Sequence, residues 1–374
     1  MTILGASPTA KPGGPAFNML GFRVAIPWNT LIGILIIAVL WYPEFSRRYG
    51  GVGQWLLAVA FALLLVGSIL LHELAHALTA RAMGYPVTGV TLWALGGFTT
   101  FKTGRNHGPG RAATIAAAGP GATLSIAVLA GAAASALPHG TFANEILAAL
   151  SSANAVIGVF NLLPGSPLDG GAIVESIVWA FTGSMARGQL VAAWIGRVLA
   201  VIVGASPFVV AAAVGGQPSL SLLLIALVLA VLLWTGASAS LAAARSSERL
   251  RSVPAASLAQ PVAAVSSDAT VAMSLAQQRE GVVQVVIGYE GVPLGIVRTE
   301  AAAAVPAQER DRLGVLAVCV SLTDLPLVEA GGTAWDVLTA CQESDARFVG
   351  LRDERSGQVL GVVDTDAMFV TMGQ

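Results

Sequence analysis

The stretch SILLHELAHALTARAMG, residues 68–84, places His72, Glu73 and His76 inside a run of apolar side chains. Ionisable side chains are costly inside a membrane and are usually functional there. Residues four apart in a helix share one face, so the two histidines can point at one cation, with Glu73 beside them. The pattern H-E-x-x-H is typical of two zinc ligands and a general base. The alternative is a pair of histidines packed against neighbouring side chains.

The composition of the surrounding chain indicates a membrane protein. Of its 374 residues 55% are hydrophobic and only 11% are charged, whereas soluble domains carry about 25% charged residues. The net charge of −1 gives no general signal for nucleic acid, and we expect no nucleic-acid partner. Cys319 and Cys341 form no C-x-x-C pair, so we expect ordinary reduced thiols rather than a disulfide or a zinc knuckle.

Apolar runs predict the membrane region. A spanning helix needs about 20 apolar residues, and six windows qualify: Val24–Tyr42, Gln54–Met83, Ala112–Leu137, Glu145–Leu163, Gln189–Val214 and Leu220–Ala244. The first window reads as a span rather than as a cleavable signal peptide. After Arg245 the composition becomes polar, and we place a domain boundary near Arg251. The predicted domains are a membrane region, 1–250, and a C-terminal region, 251–374.

The distribution of lysine and arginine predicts the orientation, because these residues accumulate in cytoplasmic loops. With a cytoplasmic N-terminus, the outer connections hold only Arg47 and Arg48. The cytoplasmic segments hold Lys11, Arg23, Arg81, Lys102, Arg105, Arg111, Arg187, Arg245, Arg249 and Arg251. We therefore expect a multi-pass protein of the cell membrane with both termini cytoplasmic. Residue 104 would face the cytoplasm and residue 140 the other side.

The stretch NLLPGSPLDGG, residues 161–171, supplies the best candidate for a third zinc ligand, Asp169. Catalytic zinc commonly takes three protein ligands and a water. Pro164 and Pro167 prevent a regular helix, and irregular backbone at membrane depth is tolerated only in protein or against a wet cavity. The orientation puts this stretch on the same side and at similar depth as His72. The alternative role for Asp169 is a helix N-cap, and the two roles are compatible.

These paired motifs resemble the site-2 protease family of intramembrane zinc metalloproteases, in which H-E-x-x-H on one span is followed by N-x-x-P and L-D-G on a later one. The resemblance covers the whole membrane region. It implies that His72, His76 and Asp169 bind one zinc ion and that Glu73 activates the water. It also implies that Asn161 stabilises the oxyanion of the tetrahedral intermediate. The alternative role for Asn161 is to end a helix and bond the backbone that is freed there.

Other polar or glycine-rich features lie near these motifs. Residues 85–104, YPVTGVTLWALGGFTTFKTG, predict a hairpin or membrane-dipping segment, whose edge could receive an unwound substrate as an added strand. A purely structural hairpin is the alternative. Gly119, Pro120 and Gly121 in the third span favour close helix packing. Arg197 is open to snorkelling, pairing with Glu175 or gating, and His107 and His139 are expected to be solvated.

The C-terminal third contains two similar halves, Val253–Pro306 and Val315–Met372, whose strands PLGIVRTEA and VLGVVDTDA correspond. This pattern resembles a tandem pair of CBS domains, a module that often binds adenine nucleotides. Its usual G-[IV]-[VIL]-[ST]-x-x-D ending has Arg298 and Ala301 at the polar positions of the first repeat. Asp364 and Ala367 stand there in the second. We therefore expect weak or no nucleotide binding, although Arg298 could meet a phosphate.

The sequence thus predicts a polytopic α-helical membrane protein with six transmembrane helices and a C-terminal α/β cytoplasmic tandem CBS domain. The expected activity is that of a zinc endopeptidase with one Zn²⁺ per chain. It would cut a transmembrane or membrane-anchored regulatory protein near the cytoplasmic face, in contact with membrane lipid. A homodimer through the CBS pair is left open. The alternatives are a CBS-gated metal-ion transporter that uses the His/Asp cluster as a transit site, and a proteolytically dead scaffold.

Overall fold

The computed structural model describes residues 13–46, 51–93, 96–101, 108–289, 292–322, 325–344, 346–354, 359–365 and 368. The chain divides into two compact units, Met1–Arg245 and Ser246–Gln374. The predicted domain boundary near Arg251 lies a few residues further along, inside a helix that continues to Ser252.

Long apolar helices make up most of the first unit, and the last of them runs on beyond Arg245. Their bounds are α1 (Asn29–Ser46), α2 (Val52–Ala82), α3 (Pro109–Ser135), α4 (Phe142–Asn161), α5 (Asp169–Thr182), α6 (Met185–Ala213) and α7 (Leu220–Ser252). Within the described residues, α2, α3, α4, α6 and α7 are long and apolar enough to cross a membrane, judged by length and composition. The chain is therefore a multi-pass membrane protein.

The first predicted span, Val24–Tyr42, is wrong at its beginning. Val24 lies in a strand, and the helix begins only at Asn29. The strand forms because Phe22 and Val24 are buried while Arg23 between them is exposed, which is the alternation of a half-buried strand. The apolar part of α1, Asn29–Phe45, is shorter than the other candidate spans. The number of six spans stays a prediction.

A four-stranded sheet packs against α2. Its strands are β1 (Ala16–Met19), β2 (Phe22–Ala25), β3 (Val87–Trp93) and β4 (Gly96–Phe101), in the order β1-β2-β3-β4. The β2–β3 pair is parallel and the other two pairs are antiparallel. Phe22, Val24 and Val90 of the sheet form one buried cluster with Leu74 and Ala77 of α2. The hairpin expected within residues 85–104 is thus β3–β4, and β4 is an edge strand.

The break between α4 and α5 follows the prolines. After α4 ends at Asn161, the chain is not helical again until Asp169. Gly183, with φ of 68°, ends α5 in the left-handed conformation that glycine adopts without strain. Ser184 then caps α6 by accepting the backbone N–H of Arg187.

The second unit repeats a strand–helix–strand–strand pattern. The elements of its first half are β5 (Val262–Ser266), α8 (Val271–Gln277), β6 (Val283–Ile287), β7 (Pro293–Val297), α9 (Thr299–Ala304) and β8 (Cys319–Ser321). Those of the second half are β9 (Leu327–Glu329), α10 (Ala334–Ser344), β10 (Phe348–Arg352) and β11 (Val359–Asp364). Strand β6 pairs parallel with β5 and antiparallel with β7, and β10 likewise pairs parallel with β9 and antiparallel with β11. Strand β8 adds to the first sheet by pairing antiparallel with β7.

Both cysteines of the second unit are free, as expected. Burial raises the pKa of the Cys319 thiol to about 11, because a thiolate is poorly solvated in apolar surroundings. Cys319 is therefore a weak nucleophile at neutral pH.

Candidate metal centre

Helix α2 carries His72, Glu73 and His76 at its inner face. All three side chains are buried, with exposed fractions of 7%, 7% and 6%. The helical repeat places the two imidazoles one turn apart, and their Nε2 atoms lie 3.1 Å from each other. Two imidazole nitrogens this close, in an otherwise apolar segment, are suited to bind one metal ion together.

Asp169, in the first turn of α5, completes the cluster. Its Oδ2 lies 3.1 Å from Nε2 of His72, and its Oδ1 lies 3.4 Å from Nε2 of His76. The carboxylate and the two nitrogens can thus reach one ion. The N-cap alternative for Asp169 is wrong, because Leu168 occupies the N-cap position and Asp169 is the first helical residue.

The second nitrogen of each imidazole has a partner on α3. Nδ1 of His76 lies 2.7 Å from the carbonyl oxygen of Ile115, and Nδ1 of His72 lies 2.8 Å from Oγ1 of Thr123. A carbonyl can only accept, so Nδ1 of His76 carries the proton and Nε2 keeps its lone pair for a metal. Such outer partners typically orient metal-binding histidines. Neither α3 partner was predicted from the sequence.

The donor set fits tetrahedral zinc. Two ligand atoms at the usual 2.0–2.1 Å from a tetrahedral zinc are about 3.3 Å apart. The two imidazole Nε2 atoms lie 3.1 Å apart, and each lies 3.1 or 3.4 Å from a different carboxylate oxygen of Asp169. Space for the ion is left by Gly119 of α3, where an added Cβ would overlap the Nε2 atoms of both histidines. Two neutral imidazoles and one carboxylate are ligands that zinc accepts.

Glu73 lies beside the three ligands and is held by the edge strand β4. Oγ1 of Thr99 lies 2.8 Å from Oε2 of Glu73 and 3.0 Å from the Glu73 carbonyl oxygen. The sequence predicted a hairpin here but did not predict the hydrogen bond between Thr99 and Glu73. The β-branched residues indicated a strand, and they gave no indication of its partner. The carboxylate is therefore adjacent to the cluster without being one of its three ligands.

A cavity of about 490 Å³ contains the whole constellation. Asn161, the last residue of α4, lines the same cavity as His72, Glu73 and Asp169. The apolar part of the lining includes three leucines of α7, Leu229, Leu232 and Leu233. A peptide segment that enters the cavity would contact both the polar, metal-binding residues and these apolar side chains.

Other candidate polar residues lie outside the cluster. His107 is outside the described residues, and His139 is exposed in the turn between α3 and α4. Arg197 donates from Nη2 to Oγ of Ser238 at 3.1 Å, and its guanidinium carbon lies 5.1 and 5.0 Å from the ring centroids of Trp194 and Trp234. Arg197 thus links α6 to α7.

Residues 60–152 and 136–203 match the model of peptidase family M50. The chain is 36% identical over 211 residues to Rip3 of Mycobacterium tuberculosis H37Rv, which is described as a zinc metalloprotease, with 54% of this chain and 53% of the relative covered. The chain spans about half the length of the curated relatives it matches.

Two solved structures are similar at low TM-scores. The site-2 protease of Methanocaldococcus jannaschii matches over 60% of this chain and 93% of that chain, with a TM-score of 0.44 and 22% identity. The CBS domain of a bacterial CNNM/CorC family Mg²⁺ transporter matches over 35% of this chain and 81% of that chain, with a TM-score of 0.29 and 16% identity. The resemblance of the membrane region to the site-2 protease family is confirmed by the family match and the sequence relatives.

Proposed function

We infer, from the match of residues 60–203 to the model of peptidase family M50 and from the zinc metalloprotease relatives, that this chain is an intramembrane zinc endopeptidase. Its substrate would be a transmembrane or membrane-anchored regulatory protein, cut near the cytoplasmic face in regulated intramembrane proteolysis. The observation that carries this proposal is the convergence of His72, His76 and Asp169 within 3.4 Å of one another, with the Glu73 carboxylate alongside.

His72, His76 and Asp169 would hold the zinc ion that the relatives' descriptions imply. Zinc supplies an activated water at neutral pH and polarises the scissile carbonyl. Glu73 takes the proton of the attacking water at its carboxylate and passes it to the leaving amine. The low exposure of Glu73, 7%, suits this role because bulk water competes little for the proton.

Asn161 is proposed as the oxyanion donor. It lines the cavity at the end of α4, where the helix stops and its amide can face the cavity. An amide N–H placed on the developing oxyanion typically contributes about 2.7–4 kcal/mol to transition-state stabilisation. The competing role, bonding backbone that is freed at the helix end, needs no substrate.

The edge strand β4 is proposed to bind the substrate. Gly96–Thr99 line the cavity beside the cluster. Within the described residues, β4 pairs with β3 on one side only, so its other edge can accept an extended peptide. A transmembrane helix must unwind to expose its peptide bonds, and strand addition would hold it in that form.

The C-terminal unit is proposed as a cytoplasmic CBS pair with both chain termini inside the cell. The two halves share one order of strands and helix. Asp364, at the position where the CBS pattern has a hydroxyl, is bound by Arg347, with Nη2 to Oδ2 at 2.9 Å. Ala367 lies outside the described residues. Such a pair would dimerise or set the spacing of two membrane regions rather than sense a nucleotide.

The experiment that tests the activity compares wild type with Glu73→Gln on candidate single-span substrates. The expected result is full zinc content and a rate lowered by about 10²–10⁴-fold, because the base is lost and the ligands remain. Glu175→Gln, a second carboxylate of the membrane region on α5, is the matched control and should cleave normally.

The same preparation separates the alternatives. Wild-type cleavage by Glu73→Gln would overturn Glu73 as the base. A wild-type protein that cleaves none of the substrates but moves metal ions across liposomes, with Glu73→Gln doing so equally well, would favour the transporter.

A further inference from the structure

Strand β4 crosses directly over the side chain of Glu73. Oγ1 of Thr99 lies 2.8 Å from Oε2 of Glu73 and 3.0 Å from its carbonyl oxygen. Thr99 is only 6% exposed, and it is the one residue of β4 that is fully buried. Both acceptors within 3.0 Å of this hydroxyl belong to Glu73, so its hydrogen serves Glu73.

Gly97 on the same face of β4 makes this approach possible. Residues two apart in a strand share a face, so Gly97 and Thr99 both face α2. A Cβ added to Gly97 would lie 2.6 Å from Cγ of Glu73 and 3.1 Å from its Cδ and Oε1. Gly97 thus leaves room for the aliphatic part of the Glu73 side chain, and Thr99 places its hydroxyl at the Glu73 carboxylate.

We propose that Thr99 is a positioning residue that fixes the carboxylate of Glu73 for its work as a base. This inference rests on the proposed function. A free glutamate side chain samples several rotamers, and a hydrogen bond from a stiff, β-branched threonine selects one of them. The bond occupies Oε2 and leaves the lone pairs of Oε1 for the proton of the attacking water.

The contact also links the substrate strand to the chemistry. The same strand whose outer edge is proposed to pair with substrate holds the base through its inner face. A shift of β4 on substrate addition would move the Thr99 hydroxyl and the Glu73 carboxylate together. Misplacement of a reacting group by about 1 Å can cost about 100-fold in rate.

Three variants of the full-length protein test this role. Thr99→Val keeps the branched shape and loses the donor, and it should lower kcat about 100-fold with KM and zinc content unchanged. Thr99→Ser keeps the donor and should restore most of kcat. Thr88→Val is the matched control, because Thr88 on β3 also donates to β4, at 3.0 Å from the Thr100 carbonyl oxygen, but lies outside the cavity.

A measurement on metal-free protein detects the contact itself. The carboxylate stretching band of Glu73 can be isolated by infrared spectroscopy as the difference between each protein and its Glu73→Gln counterpart. Loss of the hydroxyl donor should shift this band in Thr99→Val but not in Thr99→Ser or Thr88→Val.

The outcomes are distinct for this inference and for the proposed function. If wild type cleaves substrate and Thr99→Val cleaves it equally fast, the positioning role is overturned and the protease stands. Equal loss in Thr99→Val and Thr99→Ser would also overturn it, because packing rather than the donor would then matter. If fully zinc-loaded wild type cleaves nothing, the proposed function falls, and an unshifted band in Thr99→Val would separately refute the contact.

Discussion

Gly119 faces the Nε2 atoms of His72 and His76 from α3, and a Cβ placed there would overlap both nitrogens. The same helix supplies the Ile115 carbonyl and the Thr123 hydroxyl that bond the two Nδ1 atoms. Helix α3 therefore does two things for the site: it orients both imidazoles and leaves the volume in which an ion can sit. The sequence indicated close packing at Gly119, and the structure shows that the atoms packed there are the ring nitrogens of the two histidines.

At the residue scale we predict that Gly119→Ala loses most of its bound zinc. The methyl group would occupy the space of the ion, and the loss should match that of Asp169→Ala, which removes a ligand. Both should exceed the 10–100-fold loss of affinity that is typical when an outer partner of a ligand is changed. Elemental analysis of purified protein after dialysis against a zinc buffer measures this.

Gly121→Ala is the control for that prediction. Gly121 lies on the same helix with no neighbouring atom within 4 Å of an added Cβ, so it should bind zinc normally. Full zinc occupancy in Gly119→Ala would show that the ion does not bind next to Gly119. Full zinc occupancy in Asp169→Ala would show that the third ligand is another residue.

The irregular segment between α4 and α5 positions Asp169, and two neighbouring helices, α6 and α7, pack against this segment. The backbone N–H of Ser166 donates to the Ala192 carbonyl of α6 at 3.0 Å. Added Cβ atoms at Gly196 of α6 and at Gly236 of α7 would overlap the Ser166 carbonyl oxygen and the Pro167 ring. Glycine on two helices thus lets the segment sit close enough to hold the carboxylate at the histidines.

Arginines mark one end of the membrane helices. Arg81 is in the last turn of α2, Arg111 is in the first turn of α3, Arg187 is near the start of α6, and Arg245 is in the last part of α7. Helices that alternate in direction across a membrane bring these ends to the same side. Because arginine accumulates on the cytoplasmic side, that side should be the cytoplasm.

At the element scale we predict that His139, between α3 and α4, faces outside and that Thr182, at the end of α5, faces the cytoplasm. Single cysteines at these positions, with Cys319 and Cys341 replaced by alanine, are treated with an impermeant maleimide in intact cells. Label should appear at residue 139 only. The reverse pattern would mean an inverted orientation; residue 104, the other cytoplasmic marker, lies outside the described residues.

In the second unit, Arg347 forms ion pairs with carboxylates of both repeats. Arg347 pairs with Asp364 of its own half and with Glu300 of the first half, where Nη1 lies 2.7 Å from Oε1. The Asp364 and Glu300 carboxylates hold the pKa of the Arg347 guanidinium well above its usual range. The side chain at the hydroxyl position of the second repeat is therefore already engaged within the protein.

At the scale of the whole molecule we predict weak or no binding of adenine nucleotides. Each polar partner missing from a site built around it typically costs about 1–3 kcal/mol, and Arg298, Ala301 and Asp364 replace the usual residues. Calorimetry of the full-length protein with ATP, ADP and AMP should show no heat of binding at micromolar concentrations. A micromolar dissociation constant for any of them would instead make the protein an energy-sensing protease.

Local features could be predicted from the sequence because they depend on neighbours in the chain. The spacing of His72 and His76 is a property of one helix, and Pro164 and Pro167 break any helix in which they lie. The two repeats of the C-terminal third are visible as matching strands. The first span was misplaced because its apolar run begins in β2, where alternation over only four residues, Phe22–Ala25, is hard to distinguish from a helix start.

The contacts that make the site specific were decided only by the tertiary structure. Thr99 reaches Glu73 across 26 positions of the chain, Ile115 reaches His76 across 39, and Thr123 reaches His72 across 51. A hydroxyl or a carbonyl has many possible partners at such separations. Which one it meets depends on how helices and strands pack, and here glycines at 97 and 119 determine how close that packing can be.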